Sequence, residues 1–235
     1  MIGFPAVAAP EQYVRWMNEH SGFNPRSQQN SNALSGCVVS DLRRVSPAID
    51  AALQSGRLKE KKNAEVYTKV ANRNVDLVLH TDDEAPNLSV LTAVENKTIM
   101  TAHGKARKNR YGDLIAYSNH MHNHRRDCIA GAIVVVNIAL TYENPDPFAK
   151  GIRRARFDMP KVVTDTVRLF SGMPLRDDPN EPSDQPEALA VIVINYDGVN
   201  PSKLVLQPTA PQPTETIYYD NFIRRIGDLY VRRFS

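Results

Sequence analysis

The chain has 235 residues, 42% hydrophobic and 23% charged, a balance that supports a substantial buried core and excludes disorder of the whole chain. Its formal net charge of +3 and pI of about 8.8 are only mildly basic, so a nucleic-acid partner has to be argued from where the cations cluster. Two distant cysteines, Cys37 and Cys128, exclude a disulfide scaffold and a cysteine-based zinc site.

Read in chain order, the first stretch, "MIGFPAVAAPEQ", carries no cationic leader and is interrupted by Pro5 and Pro10. No later apolar run approaches the ~20 residues that span a bilayer, so the expectation is a cytoplasmic protein without a membrane segment. "SNALSGCVVSDLRRV" places Leu34, Val38, Leu42 and Val45 at helical spacing and predicts an amphipathic helix that ends before Pro47. "VDLVLHT" and "SVLTAVENKTI" read as two strands of a hairpin, with Asp82, Asp83, Glu84, Pro86 and Asn87 as its turn. Tyr111, Leu114, Ile115 and Met121 predict a second helix from Gly104 to about Asp127. "GAIVVVNIAL" and "ALAVIVINYD" are continuously apolar and β-branched, as strands buried on both faces are. "YYDNFIRRIGDLYVRRF" has Phe222, Ile223, Ile226, Tyr230 and Phe234 on one side, which predicts a terminal amphipathic helix. Two proline-rich stretches, 173–187 and 207–216, are expected on the surface of a single 1–235 domain. The order describes an α/β protein with a mixed central sheet flanked by helices.

Chemistry concentrates at the end of the second hairpin strand. Glu95 and Lys97 are two apart and project from one face, and Asn96 points the other way. With the turn centred on Ala85 and Pro86, antiparallel partners have numbers that sum to about 171, which sets Asp76 opposite Glu95. Carboxylates roughly 5 Å apart repel unless a cation lies between them, and Mg2+ is the natural candidate. Asp76 and Glu95 would then hold the metal, and Lys97 would stand beside the attacking water in phosphodiester hydrolysis. The basic run that follows, Lys105, Arg107, Lys108 and Arg110, lies where a polyanionic backbone has to be held, and His103 just before it could also touch a phosphate. A plainer reading of the same residues is a cross-strand ion pair between Glu95 and Lys97.

These residues resemble a known motif. Asp76 after Val75, followed nineteen residues on by Glu95, Asn96 and Lys97, is similar to the signature of the PD-(D/E)XK nuclease superfamily, and "ENKTIMTAHGKARKNRYGDL" is similar to stretches of its restriction-endonuclease-like members. The resemblance covers about Asn32 to Leu140, with valine where the family name has proline. It implies a restriction-endonuclease-like αβββαβ core, magnesium dependence and products with a 5′ phosphate. It further implies Asp76, Glu95 and the Asn96 backbone carbonyl as metal ligands and Lys97 as the catalytic lysine. Many members add an acid from the first helix, for which Asp41 is the candidate and Glu65 the alternative. The expected substrate is double-stranded DNA, cut by a homodimer of type II restriction-enzyme kind. A repair, recombination or modification-dependent nuclease and a non-catalytic DNA-binding module are the alternatives.

Other clusters carry less. His120 and His124 share a helical face opposite His122, which offers two ligands at most and reads as a solvated or capping cluster. Arg153, Arg154 and Arg156 in "GIRRARF" suit backbone contacts or an ordinary turn, and Arg26 and Gln28 suit a polar loop and helix cap. No GxSxG elbow is present to support a serine hydrolase.

Overall fold

The structure, a computed structural model, describes residues 9–20, 27–69, 71–81, 88–143, 152–154, 158–206 and 208–235. The hairpin turn, Arg26 and Arg156 lie outside the described residues.

Three helices come first: α1 (Ala9–Glu19), α2 (Gln28–Val45) and α3 (Pro47–Gln54). Ser27 caps α2 by accepting the N–H of Asn30. Ser46 ends α2 and caps α3, whose first turn holds Pro47, where the missing N–H costs nothing. Then follow β1 (Lys59–Tyr67), β2 (Asn72–His80), β3 (Val90–Ile99), α4 (His103–His124) and β4 (Ile129–Asn137). The C-terminal third adds β5 (Thr141–Glu143), β6 (Ile152–Arg154), α5 (Met159–Ser171), β7 (Ala188–Asn195), β8 (Lys203–Val205) and α6 (Tyr219–Phe234).

Six strands form one open sheet in the order β1-β2-β3-β4-β7-β8, and β5 pairs with β6 separately. β1, β2 and β3 are antiparallel, β3, β4 and β7 run parallel, and β8 returns antiparallel at the edge. This is a mixed sheet flanked by helices, as composition and patterning predict. On one face Leu77, Leu79, Val94, Ile133 and Ile192 pack against α1, α2, α3 and α6. On the other, Val134, Val136, Leu189 and Val191 pack under α4 and α5, and Ala93 and Val78 pack beneath Tyr117 and Met121 of α4. β4 is buried along its whole length, which is why it reads as an unbroken apolar run.

The C-terminal third belongs to this core. Gly131 of β4 is overlaid by Phe222 and Ile226 so closely that an added Cβ would lie 3.1 and 3.0 Å from their side chains. The 173–187 stretch is on the surface only in its middle, because Met173, Arg176 and Glu187 at its ends are buried. Glu187 is fully enclosed and fully engaged. Its Oε1 accepts Arg176 at 3.3 Å and Arg233 at 2.9 Å, and its Oε2 lies 2.9 Å from His122 Nε2 and accepts the Ala130 N–H at 2.8 Å. His122 is therefore a structural histidine of the interior, not a solvated one. His120 and His124 turn instead to Thr68 and the Tyr67 carbonyl.

Candidate active site

The site forms where β2 and β3 part. Their ladder has the register expected from the sequence, with Leu77 opposite Val94, Val78 opposite Ala93 and Leu79 opposite Thr92, and there it stops. In place of a further rung, the Asp76 carboxylate accepts the Asn96 backbone N–H at 2.8 Å. The chain is irregular on the outer side too. The β1–β2 ladder steps from Lys62–Leu77 to Ala64–Val75, and Asn63 between them takes a φ of 48°. Val75 and Val78 thus share the cluster beneath α4, whereas Leu77 and Leu79 face α2, so the alternation slips across Asp76. The two acids do not face each other as a ladder pair, because the strands have separated before reaching them. Since a strand residue presents its N–H and C=O to the same edge, the Asn96 carbonyl faces the Asp76 side.

Glu95 approaches from the α4 side of the sheet and is only 3% exposed. Its Oε1 accepts both Lys97 Nζ at 2.5 Å and Arg73 Nη2 at 3.2 Å, while its Oε2 is buried without a hydrogen-bond partner. The Arg73 guanidinium lies 5.4 Å from the centroid of the Tyr117 ring, which supports it from behind. Burial pushes the Glu95 carboxyl above its usual range, against the pull of Lys97, and the negative charge of Asp76 adds to the rise.

Helix α2 supplies hydroxyls to this site. Ser31 Oγ donates to Asp76 Oδ1 at 2.6 Å, and the Asn96 side-chain amide donates to Ser31 Oγ and Ser35 Oγ, each at 3.0 Å. A cavity of about 230 Å³ opens here, walled by Gln28, Ser31, Asp76, Asn96, Lys97 and Arg110. Glu95 is not in that wall; Lys97, hydrogen-bonded to it, is.

The cations of α4 divide into two groups. Arg110 reaches the cavity of Asp76 and Lys97 and is anchored to Asp113 at 2.7 Å. Lys105 and Arg107, one to two turns earlier, line a second and more apolar cavity of about 620 Å³ with Met100, Leu140 and Met159. Lys108 is exposed.

Three residues expected at the site are elsewhere. Asp41 is buried near the far end of α2, where it accepts the Ala9 N–H and the Tyr219 hydroxyl at 3.1 Å each and pairs with Arg44. It ties three helices together, and burial lifts its pKa. Glu65 is on the outer strand, exposed, and bonded to Asn72 and Tyr67. His103 is largely buried, and its Nε2 lies 2.6 Å from the Asn137 carbonyl; it joins α4 to the end of β4 and edges the second cavity, away from Asp76 and Lys97. Burial lowers its pKa and favours the neutral ring.

Sequence reading missed Ser31, Ser35 and Arg73. The signal for the serines was two hydroxyls one turn apart on the helical face that otherwise carries Leu34, Val38 and Leu42. Arg73 offered none, because a cation at a strand start is ordinarily solvated.

A hard cation fits these residues. Mg2+ takes one or two carboxylates and completes its octahedron with water and phosphate oxygens. By residue type Asp76, Glu95 and the Asn96 carbonyl would suit such an ion, and the partnerless Oε2 of Glu95 is an oxygen with coordination capacity left over; Asp76 and Asn96 line the cavity, and Glu95 stands behind Lys97. Among the described residues no group of three His, Cys, Asp or Glu side chains converges, so an all-protein cage is not formed. No described helix is long and apolar enough to cross a membrane. Comparison with protein-family models, with curated proteins and with solved structures finds no match to this chain.

Proposed function

We propose that the protein is a magnesium-dependent endonuclease of the PD-(D/E)XK superfamily that hydrolyses phosphodiester bonds in double-stranded DNA, of the type II restriction kind. The observation that carries the reading is a buried glutamate with one oxygen unpartnered, hydrogen-bonded to a lysine that lines a cavity together with a second acid and an arginine. The order α2, α3, β1, β2, β3, α4, β4 supports it, matching the αβββαβ sequence of that superfamily's core with the short α3 inserted after the first helix.

Asp76, Glu95 and the Asn96 carbonyl would hold the ion. When bound, Mg2+ supplies Lewis-acid polarisation of the scissile phosphate and an acidified water. Lys97 exchanges its hydrogen bond from Glu95 to the attacking water or the developing charge, since it alone of Glu95's two cations lines the cavity. Arg73 stays on Oε1, so Glu95 is not left as an uncompensated buried charge when Lys97 moves. Arg110 meets the phosphate from α4. A homodimer suits a two-stranded target, each protomer cutting one strand.

The test is incubation of purified protein with plasmid DNA, with and without Mg2+. Wild type should cut only with the ion, and Asp76→Ala should lose cleavage by about 10³-fold or more while still binding DNA, as several kcal/mol of metal-borne stabilisation implies. Discrete fragments would identify a restriction enzyme, and a smear a repair or recombination nuclease. Absence of cutting by wild type, with DNA binding intact, would leave the non-catalytic module, in which Glu95 and Lys97 are only an ion pair.

A further inference from the structure

The geometry points to Ser31 as a positioning residue that fixes the orientation of Asp76 for a divalent cation, an inference that rests on the metal-site reading above. Asp76 is short and sits where the strand alternation slips, so regular pleating does not hold its side chain. What holds it is a closed ring of hydrogen bonds. Asn96 donates its backbone N–H to Oδ2 at 2.8 Å and its side-chain amide to Ser31 Oγ at 3.0 Å, and Ser31 Oγ passes its own proton to Oδ1 at 2.6 Å. Each carboxylate oxygen thereby receives one donor from a fixed direction, which sets the plane of the group and leaves the remaining lone pairs for a cation.

Ser31 is the part of the ring that α2 contributes. Both strand donors belong to Asn96, the neighbour of Glu95, whereas Ser31 comes from a different element and links the seating of α2 to the geometry of the acid. It also lines the cavity itself. The helix that could have added a third acid thus offers a hydroxyl, which orients a ligand instead of being one. Partners that orient metal ligands in this way typically cost 10–100-fold in metal affinity when removed.

The sign of the effect separates orientation from simple charge. A carboxylate that only loses a hydrogen-bond donor becomes more basic and binds a cation more tightly; one that loses its orientation binds it more weakly. Mn2+ is the probe, its affinity measured by calorimetry and by loss of the free-ion paramagnetic resonance signal on wild type, Asp76→Asn, Ser31→Ala and Ser31→Thr, with cleavage measured in parallel. Ser31→Ala should weaken Mn2+ about tenfold and slow cleavage, and Ser31→Thr, which keeps the hydroxyl, should restore both. Ser31→Cys, which keeps the volume and loses the strong donor, serves if the alanine variant does not fold, with the same weakening expected. Equal or tighter Mn2+ binding by the alanine or cysteine variant, with wild type binding the ion and cutting DNA, overturns the role of Ser31 and leaves the nuclease reading intact. Wild type that binds Mn2+ no better than Asp76→Asn overturns the metal site and this inference with it.

Discussion

Two buried glutamates in this protein are surrounded in opposite ways. Glu187 spends both oxygens on four partners, two arginines, a histidine and a strand amide. Glu95 places two cations on one oxygen and leaves the other with none. A buried oxygen without a donor costs on the order of 1–3 kcal/mol; several buried hydroxyls here, such as that of Thr92, also lack a partner, but among the described residues Glu95 Oε2 is the only such carboxylate oxygen. The saturated acid is a joint between the sheet, α4 and the C-terminal helix; the unsaturated one has coordination to offer.

The comparison is sharpened first by stability. Glu187→Ala leaves Arg176, whose side chain is 1% exposed, without its counter-ion. The expected loss is about 3–5 kcal/mol, read from urea or thermal unfolding. A near-neutral result would show that the network around Glu187 is not the joint described.

A middle-sized effect concerns the cations around the two cavities. Replacing Arg107 and Arg110 together should weaken DNA binding and flatten its dependence on salt by about one unit of log–log slope per lost phosphate contact. An unchanged slope would remove both from the binding surface.

The smallest effect is the pH response of Glu95 itself. Its folded pKa is raised above the unfolded value, chiefly by burial, so the folded protein binds more protons across the window between them. Stability therefore falls as pH climbs from the unfolded carboxyl value through the raised folded one, and the penalty is complete above it. Glu95→Gln should melt at or above the wild-type temperature at neutral pH, gaining at most about 1.4 kcal/mol for each pH unit that separates the folded from the unfolded carboxyl, and the difference should close in acid. Cleavage, which needs the ionised acid, should rise over the same window. A glutamine variant less stable than wild type at neutral pH would make Glu95 a joint like Glu187.

Much of the sheet could be read because burial leaves a mark on composition. β4 and β7 are apolar throughout, and the turn residues between β2 and β3 were enough to fix the register at Leu77, Val78 and Leu79. The outer strand β1, "KEKKNAEVY", was illegible, since an edge strand exposed along most of its length carries charges that look like a loop. Helix α5 has Val163, Val167 and Phe170 at helical spacing, but it opens on a proline that reads as a turn and in fact sits in its first turn. At the site, spacing brought Asp76, Glu95 and Lys97 forward as candidates, and the structure adds the Lys97–Glu95 pair and the Asn96 N–H on Asp76. Asp41 was misplaced because helical periodicity says which face a residue is on, not which end of the helix meets the sheet; ten residues from Ser31 is ~15 Å along the axis. Ser31 and Arg73 could not be found without tertiary contacts, because each acts on a residue more than twenty positions away.

The close seat of Phe222 and Ile226 on Gly131 has a consequence for how the protein can be cut down. A fragment ending near residue 140 would retain every candidate catalytic side chain, yet it would leave β4 without its β7 neighbour and bare on the side that the sixteen-residue α6 roofs. Such a minimal chain would associate through that uncovered flank before it could present an intact candidate site, so the carboxyl-terminal portion serves as ballast for the first half.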